Sequence, residues 1–179
     1  MKELSLHILD IAKNSVKAKA SLITINIEED EGNNLLTIEI IDNGCGMSED
    51  FLKTVKDPFS TTRTTRKVGM GISLFEAAAI QCGGGLKIES KLGKGTRVET
   101  TFELNSIDRA PIGDMAGTMT TLILGSPEID FIYSHKINGK EFMLKTEDIK
   151  GVLGDVPLDL PDVLIWIDGY IKEGLDEIK

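Results

Sequence analysis

The chain has 179 residues, of which 41% are hydrophobic and 27% charged. That is enough apolar material for one folded core with or without an extension, and it excludes a wholly disordered chain. No stretch reaches the ~18 uninterrupted apolar residues of a membrane-spanning helix, and Met1-Lys2-Glu3-Leu4 lacks the layout of a signal peptide. Cys45 and Cys82 form neither a disulfide framework nor a CxxC metal signature, so a cytoplasmic protein without membrane attachment is expected.

The net charge of −9 argues against a nucleic-acid partner held on a broad basic face. The charge is unevenly spread. Residues 1–104 carry 13 basic and 15 acidic side chains, whereas 105–179 carry 7 and 14. Within 53–67, Lys53, Lys56, Arg63, Arg66 and Lys67 face Asp57 alone, a local excess that suits a small anionic ligand.

In chain order, Leu4, Ile8, Ile11, Ala12 and Val16 make the apolar stripe of an amphipathic helix over 3–19. Ile23-Ile25-Ile27 and Leu36-Ile38-Ile40 alternate as an antiparallel pair with one buried face. A glycine loop from Asn43 to Met47, a short helix over 48–55 and a polar segment over 60–67 follow. The run 70–82 predicts a helix stopped by Gly83-Gly84-Gly85, and strands are expected near 86–91 and 96–104. This order predicts an α/β class, with helices layered on one face of a mixed, mostly antiparallel sheet. Beyond Asn105 the reading is a helix–hairpin–helix extension: a helix over 113–125, a hairpin turning at Asn138-Gly139, and a helix over 161–178 opened by Pro161. Residues 1–104 and 105–179 are thus expected as a ligand-binding domain and an extension packed on it.

The common phosphate loops are missing: there is no GxxxxGK[ST], and neither Gly44-Cys45-Gly46 nor Gly69-Met70-Gly71 completes GxGxxG. His7 and His135 lie far apart in sequence, which disfavours metal-site and triad readings. Four clusters remain. Asp10 and Asn14 share a helix face, with Lys17 a turn further; the set is either a solvated stripe or a holder for Mg²⁺ and phosphate. Asp42-Asn43-Gly44-Cys45-Gly46-Met47 is either a turn or a carboxylate with glycines that let a planar heterocycle approach the backbone. Asp57 to Arg63 runs into Gly69-Met70-Gly71-Ile72, where glycines ahead of a helix would expose N–H groups to phosphate. Gly93-Lys94-Gly95-Thr96 is a hairpin turn.

In this order the clusters resemble the N, G1, F, G2 and G3 boxes of the GHKL ATPases, whose Bergerat fold is shared by gyrase, the heat-shock chaperone, histidine kinases and the MutL mismatch-repair protein. The boxes span residues 7–102. The resemblance implies ATP and Mg²⁺ as ligands. It implies that Asp42 accepts the adenine amino hydrogen, that Gly44 and Gly46 admit the base, that Asn14 coordinates Mg²⁺, and that Lys17 reaches the phosphates as in histidine kinases. It also places Phe59 at the base of the ATP lid, Gly69 and Gly71 at phosphate, and Thr96 near the adenine. Met47, Thr62, Arg63, Met70 and Ile72 are the neighbouring contact candidates.

Asp10 stands where the hydrolysing branches and the anti-sigma serine kinases place a glutamate as general base; aspartate offers the same chemistry on a shorter stem. Histidine kinases carry a phosphoacceptor helix upstream, whereas here the N box starts at the first residues, so a separate phosphoacceptor is expected, and His7 reads as a packing or helix-surface residue. The 75 residues from Asn105 are short for the transducer domain of gyrase-type and MutL-type proteins, and their layout differs from it.

The resulting expectation is a histidine-kinase-like protein that transfers the γ-phosphate to a separate phosphoacceptor protein. A non-catalytic ATP-responsive regulatory module and an anti-sigma-like serine kinase stay open as alternatives. The last helix is expected to pack on the core or to form a homodimer surface.

Overall fold

The computed structural model describes residues 2–55 and 66–179, the side chains of 66–70 excepted. The elements in order are α1 (Leu4–Lys17), β1 (Leu22–Asp30), β2 (Leu35–Asp42), α2 (Glu49–Thr54), α3 (Arg66–Gln81), β3 (Gly85–Lys91) and β4 (Gly95–Glu103). They continue with α4 (Met115–Gly125), β5 (Asp130–Ile137), β6 (Lys140–Lys145), α5 (Thr146–Leu153) and α6 (Pro161–Ile178). The strands form one six-stranded sheet in the order β3-β4-β2-β1-β5-β6. Every pairing is antiparallel except β1 with β5. The predicted class, a mixed and mostly antiparallel sheet with helices on one face, is the one observed.

The period-2 pattern explains which face is covered. Ile23, Ile25 and Ile27 of β1 are buried, as are Leu36, Ile38 and Ile40 of β2 and Phe131 and Tyr133 of β5. Between them stand polar residues such as Glu39 of β2, which pairs with Arg97 of β4 on the open face. Under the helices, Ile8, Ile11, Phe75, Met119, Ile167 and Ile171 belong to the same core cluster as the strands. Burying each such side chain contributes about 1.5–3 kcal/mol, and this drives the layering.

Residues 105–179 extend both layers: β5 and β6 add to the sheet, and α4 packs beside α1 and α6 in the helix layer. β5 pairs along β1, from Leu22 opposite Asp130 to Glu29 opposite Ile137. His135 Nε2 hydrogen-bonds Glu29 at 2.7 Å, and its Nδ1 bonds the Tyr133 hydroxyl at 2.8 Å. Burial, ahead of the charge on Glu29, pushes the Tyr133 phenol pKa up. The first N–H groups of α1, which no helical carbonyl can satisfy, donate to Pro111 (2.9 Å from Leu4) and Ile112 (2.7 Å from Ser5).

Two local readings are corrected. The helix expected over 70–82 begins at Arg66, so Gly69 and Gly71 lie within α3 and not in a loop ahead of it. Glycine costs about 1 kcal/mol inside a helix; here Ile72, Phe75 and Ala79 are buried in the core and offset it. The extension also holds a helix the pattern did not predict, α5, which follows β6 directly. Eight residues are too few for a clear 3.6-residue period. The hairpin at Asn138-Gly139 forms as predicted, with φ of 51° and 86°, the positive pair of a type I′ turn.

Candidate functional site

A cavity of about 400 Å³ opens where α1 crosses the ends of β2 and β4. Ile11, Ile40, Val98, Ile72, Leu92 and Phe51 make its walls apolar. Of the residues singled out from sequence, Asn14, Lys17, Asp42, Gly46, Met47, Ile72 and Thr96 line it together. They come from four separate stretches of chain, and the sheet register is what joins them: Asp42 pairs with Thr96 on one side and Ile23 on the other.

Asp42, buried at the end of β2, is held by two donors. Ser15 Oγ donates to its Oδ2 at 2.5 Å, and the Gly44 backbone N–H donates to Oδ1 at 2.8 Å. A carboxylate oxygen has two lone-pair sites, so each oxygen keeps capacity to accept a further hydrogen bond from the cavity. An apolar slot with one oriented acceptor at its floor suits a flat heteroaromatic ring bearing an amino group.

The loop after Asp42 is set by close approach. A Cβ on Gly44 would lie 2.8 Å from the Ala18 Cβ, so only glycine lets the loop sit against the end of α1. Gly46 has φ of +69°, and a Cβ there would collide with the Lys91 carbonyl. Hydrogen bonds then pin the loop. Cys45 N–H donates to Ala18 (2.9 Å), and Gly93 N–H donates to the Cys45 carbonyl (2.7 Å). Met47 N–H donates to Ser90 Oγ at 2.8 Å, and Ser90 Oγ lies 2.8 Å from Thr96 Oγ1.

Asp10 and Asn14 project from α1 toward α3: a Cβ on Gly71 would lie 3.8 Å from the Asp10 Cβ and 3.9 Å from Asn14 Nδ2. Asn14 Nδ2 is buried without a hydrogen-bond partner among the described residues. Such a group costs about 1–3 kcal/mol unless something fills its need, and rotating the amide presents its oxygen at the same place. Amide and carboxylate oxygens suit a hard divalent cation. Among the described residues no three His, Cys, Asp or Glu side chains cluster for a metal. A cation here would therefore need further ligands from an anionic partner and water.

The remaining site residues divide in two. Phe59, Thr62 and Arg63 lie outside the described residues, and Gly69 and Met70 are placed only as positions in α3. His7 is a packing residue: it is buried, with its ring stacked on Phe75 at 5.0 Å between centroids. Sequence reasoning missed Ser15 and Ser90. Each is a small hydroxyl whose partner lies across the fold, so no local pattern marks it.

Comparison with known proteins adds three findings. The family model for "Histidine kinase-, DNA gyrase B-, and HSP90-like ATPase" matches residues 2–106. Sporulation kinase D of Bacillus subtilis is 27% identical over 99 residues, which cover 55% of this chain and 19% of the kinase. The matched segments amount to between 11% and 24% of the lengths of the curated relatives. Among solved structures, the N-terminal domain of a DNA repair protein superposes with a TM-score of 0.55 at 16% identity, covering 87% of this chain and 58% of that one. The Aquifex aeolicus MutL ATPase domain complexed with ADP superposes with a TM-score of 0.50 at 18% identity, covering 86% and 69%. At these identities the likeness is one of fold, and it reaches past residue 106.

Proposed function

Since the chain belongs to the histidine kinase-, DNA gyrase B- and HSP90-like ATPase family, we propose that its cavity binds Mg·ATP and that the γ-phosphate passes to a separate protein. One observation carries the reading: the doubly held Asp42 carboxylate at the floor of an apolar slot, with Asn14 and Lys17 at the same cavity. Similarity to sporulation kinase D favours transfer to a protein over simple hydrolysis.

In this proposal Asp42 accepts a hydrogen from the adenine amino group, while Gly44 and Gly46 keep the backbone clear of the ring. Thr96, coupled to Ser90, borders the base. The Asn14 amide oxygen binds the cation, and the Lys17 ammonium meets phosphate oxygens. Phe59, Thr62 and Arg63 are assigned to the lid, and Gly69, Met70, Gly71 and Ile72 to the phosphate side. Asp10 accepts the proton of the attacking group. When bound, Mg·ATP supplies a γ-phosphoryl group whose charge the cation partly neutralises. The chain's own part is to orient that group and exclude water from it.

Calorimetric titration with ATP, with and without Mg²⁺, tests the binding. Asp42→Asn should weaken it about 10- to 100-fold, the worth of a hydrogen bond to a charged acceptor; no binding by the folded wild type would sink the reading. Incubation of native lysate with γ-labelled ATP tests the transfer. An acid-labile product indicates phosphohistidine, and an acid-stable one indicates phosphoserine. Binding without any labelled partner would leave an ATP-responsive regulatory module, as would partner binding unaffected by Asp10→Asn.

A further inference from the structure

A second cavity, of about 560 Å³, lies at the far edge of the sheet between the end of β6, α5 and α6. Helix α6 shows why it is not simply core. Ile167, Ile171 and Ile178 form one apolar stripe, fully turned into the fold. Val163, Trp166 and Tyr170 form a second stripe at i, i+3 and i+7, and this one faces the cavity. Trp166 stacks on Tyr170 at 5.1 Å yet stays 54% exposed, and across the groove Val152 is 88% exposed. Val163 packs partly on the core and Tyr170 meets Phe142 at 5.5 Å between ring centroids, but the outer faces of Trp166 and Tyr170 stay uncovered, and such apolar patches mark interaction sites.

Charge says what kind of partner fits. Asp148 and Asp162 line the groove, and Lys145 is the one cation among its lining residues. Over 146–179, Lys150 is bound to Asp130 at 2.9 Å, Lys172 to Asp168 at 2.8 Å and Lys179 to Asp176 at 3.3 Å, whereas Glu147, Asp155 and Asp159 add exposed or half-buried carboxylates. A second copy of this chain would bring acidic side chains against acidic ones, and an anionic lipid surface would be repelled in the same way.

We propose that this groove docks a cationic amphipathic helix of a partner protein, its apolar side chains between α5 and α6 and its lysines or arginines beside Asp148 and Asp162. The site is separate from the cavity of Asp42 but lies toward the same end of the sheet. Thr146, which follows β6, hydrogen-bonds Phe131, and Phe131 is in register with Ile23 and so with Asp42. Three strand spacings separate β2 from β6, or about 14 Å. A partner seated here would stand beside the first cavity without entering it.

Trp166 is the chain's only tryptophan and reports on the groove directly. The test titrates the full chain with a tryptophan-free 14-residue Leu/Lys amphipathic peptide, its Leu/Glu counterpart, and neutral phosphatidylcholine vesicles. A saturable blue shift of Trp166 with the lysine peptide alone is expected. It should weaken at least tenfold in Asp148→Lys/Asp162→Lys. Val152→Asp, at an exposed position that folding does not need, separates docking from mere attraction: it adds negative charge, so unspecific adherence would tighten, whereas docking on the apolar floor should weaken. No saturable shift, an equal response to the glutamate peptide or to vesicles, or tightening in Val152→Asp would each overturn the proposal. Every readout is independent of ATP, so failure here leaves the nucleotide reading untouched.

Discussion

The two cavities of this molecule share one sheet and one core, yet they are built in opposite ways. At the β2–β4 end, polar atoms converge on an apolar slot, and Asp42, Gly44, Met47 and Ser90 are tied by short hydrogen bonds. At the β6 edge, apolar rings stand exposed above a floor with acidic borders. A site for a small ligand needs its donors and acceptors fixed before the ligand comes, because each misplaced one is left buried and unpaired. A surface for a polypeptide gains instead from apolar area and from charge that selects the partner.

Breaking the shared core should break both. Phe131 is buried in β5, between the strand that carries the first cavity and the strand that borders the second. Phe131→Ala should cost about 3–5 kcal/mol. Because β5 is paired along its length with β1, the loss should appear as one earlier transition. Denaturant unfolding followed by Trp166 emission and by far-ultraviolet circular dichroism should give coincident curves. A Trp166 transition that precedes the other would mean that the acidic region unfolds by itself, and the molecule would then be two units.

How far each region could be read from sequence follows the same division. Ile23-Ile25-Ile27 and Leu36-Ile38-Ile40 write their strands in a period of two, and Asn138-Gly139 writes its turn, because local sterics alone decide these features. Motif order pointed to Asn14, Asp42 and Thr96, which line one cavity although the chain places them far apart. The parallel joining of β5 to β1 was not legible, since a crossover pairing leaves no mark near either strand. The start of α3 at Arg66 was missed because glycines read as a loop wherever burial is unknown. The groove at α6 was missed for a related reason: Val163, Trp166 and Tyr170 look like ordinary core positions until the fold shows Trp166 and Tyr170 exposed.

A smaller change should sharpen the contrast between the cavities. Ser15 is buried, and its hydroxyl donates to Asp42 Oδ2 across 27 residues of chain. Ser15→Ala removes one of the two donors that aim the carboxylate. If Asp42 meets adenine, ATP affinity should fall about tenfold, roughly 1.4 kcal/mol. The Trp166 response to the lysine peptide should not change. Equal losses at both sites would show that Ser15 acts through general stability and not through the orientation of Asp42.

The smallest expected effect lies away from both cavities, at His7. Its ring is stacked on Phe75, and its Nδ1 is buried without a hydrogen-bond partner among the described residues. Burial, then the positive amino terminus, lowers its pKa from 6.5, outweighing the opposite pull of Asp10. In the unfolded chain the imidazole takes up a proton as pH falls through about 6.5; in the folded protein it resists until the pH is lower. Within that window the unfolded state binds the extra proton, so this residue's contribution is complete above pH 6.5 and is lost progressively as pH falls below it. His7→Phe keeps an aromatic ring against Phe75 and cannot titrate. Thermal unfolding at pH 8 should then differ little between the two proteins, while between pH 6.5 and 5 the wild type should lose stability relative to the variant. Parallel pH profiles would show that His7 takes up its proton over the same pH range in the folded and unfolded chain, and that its burial carries no pH dependence.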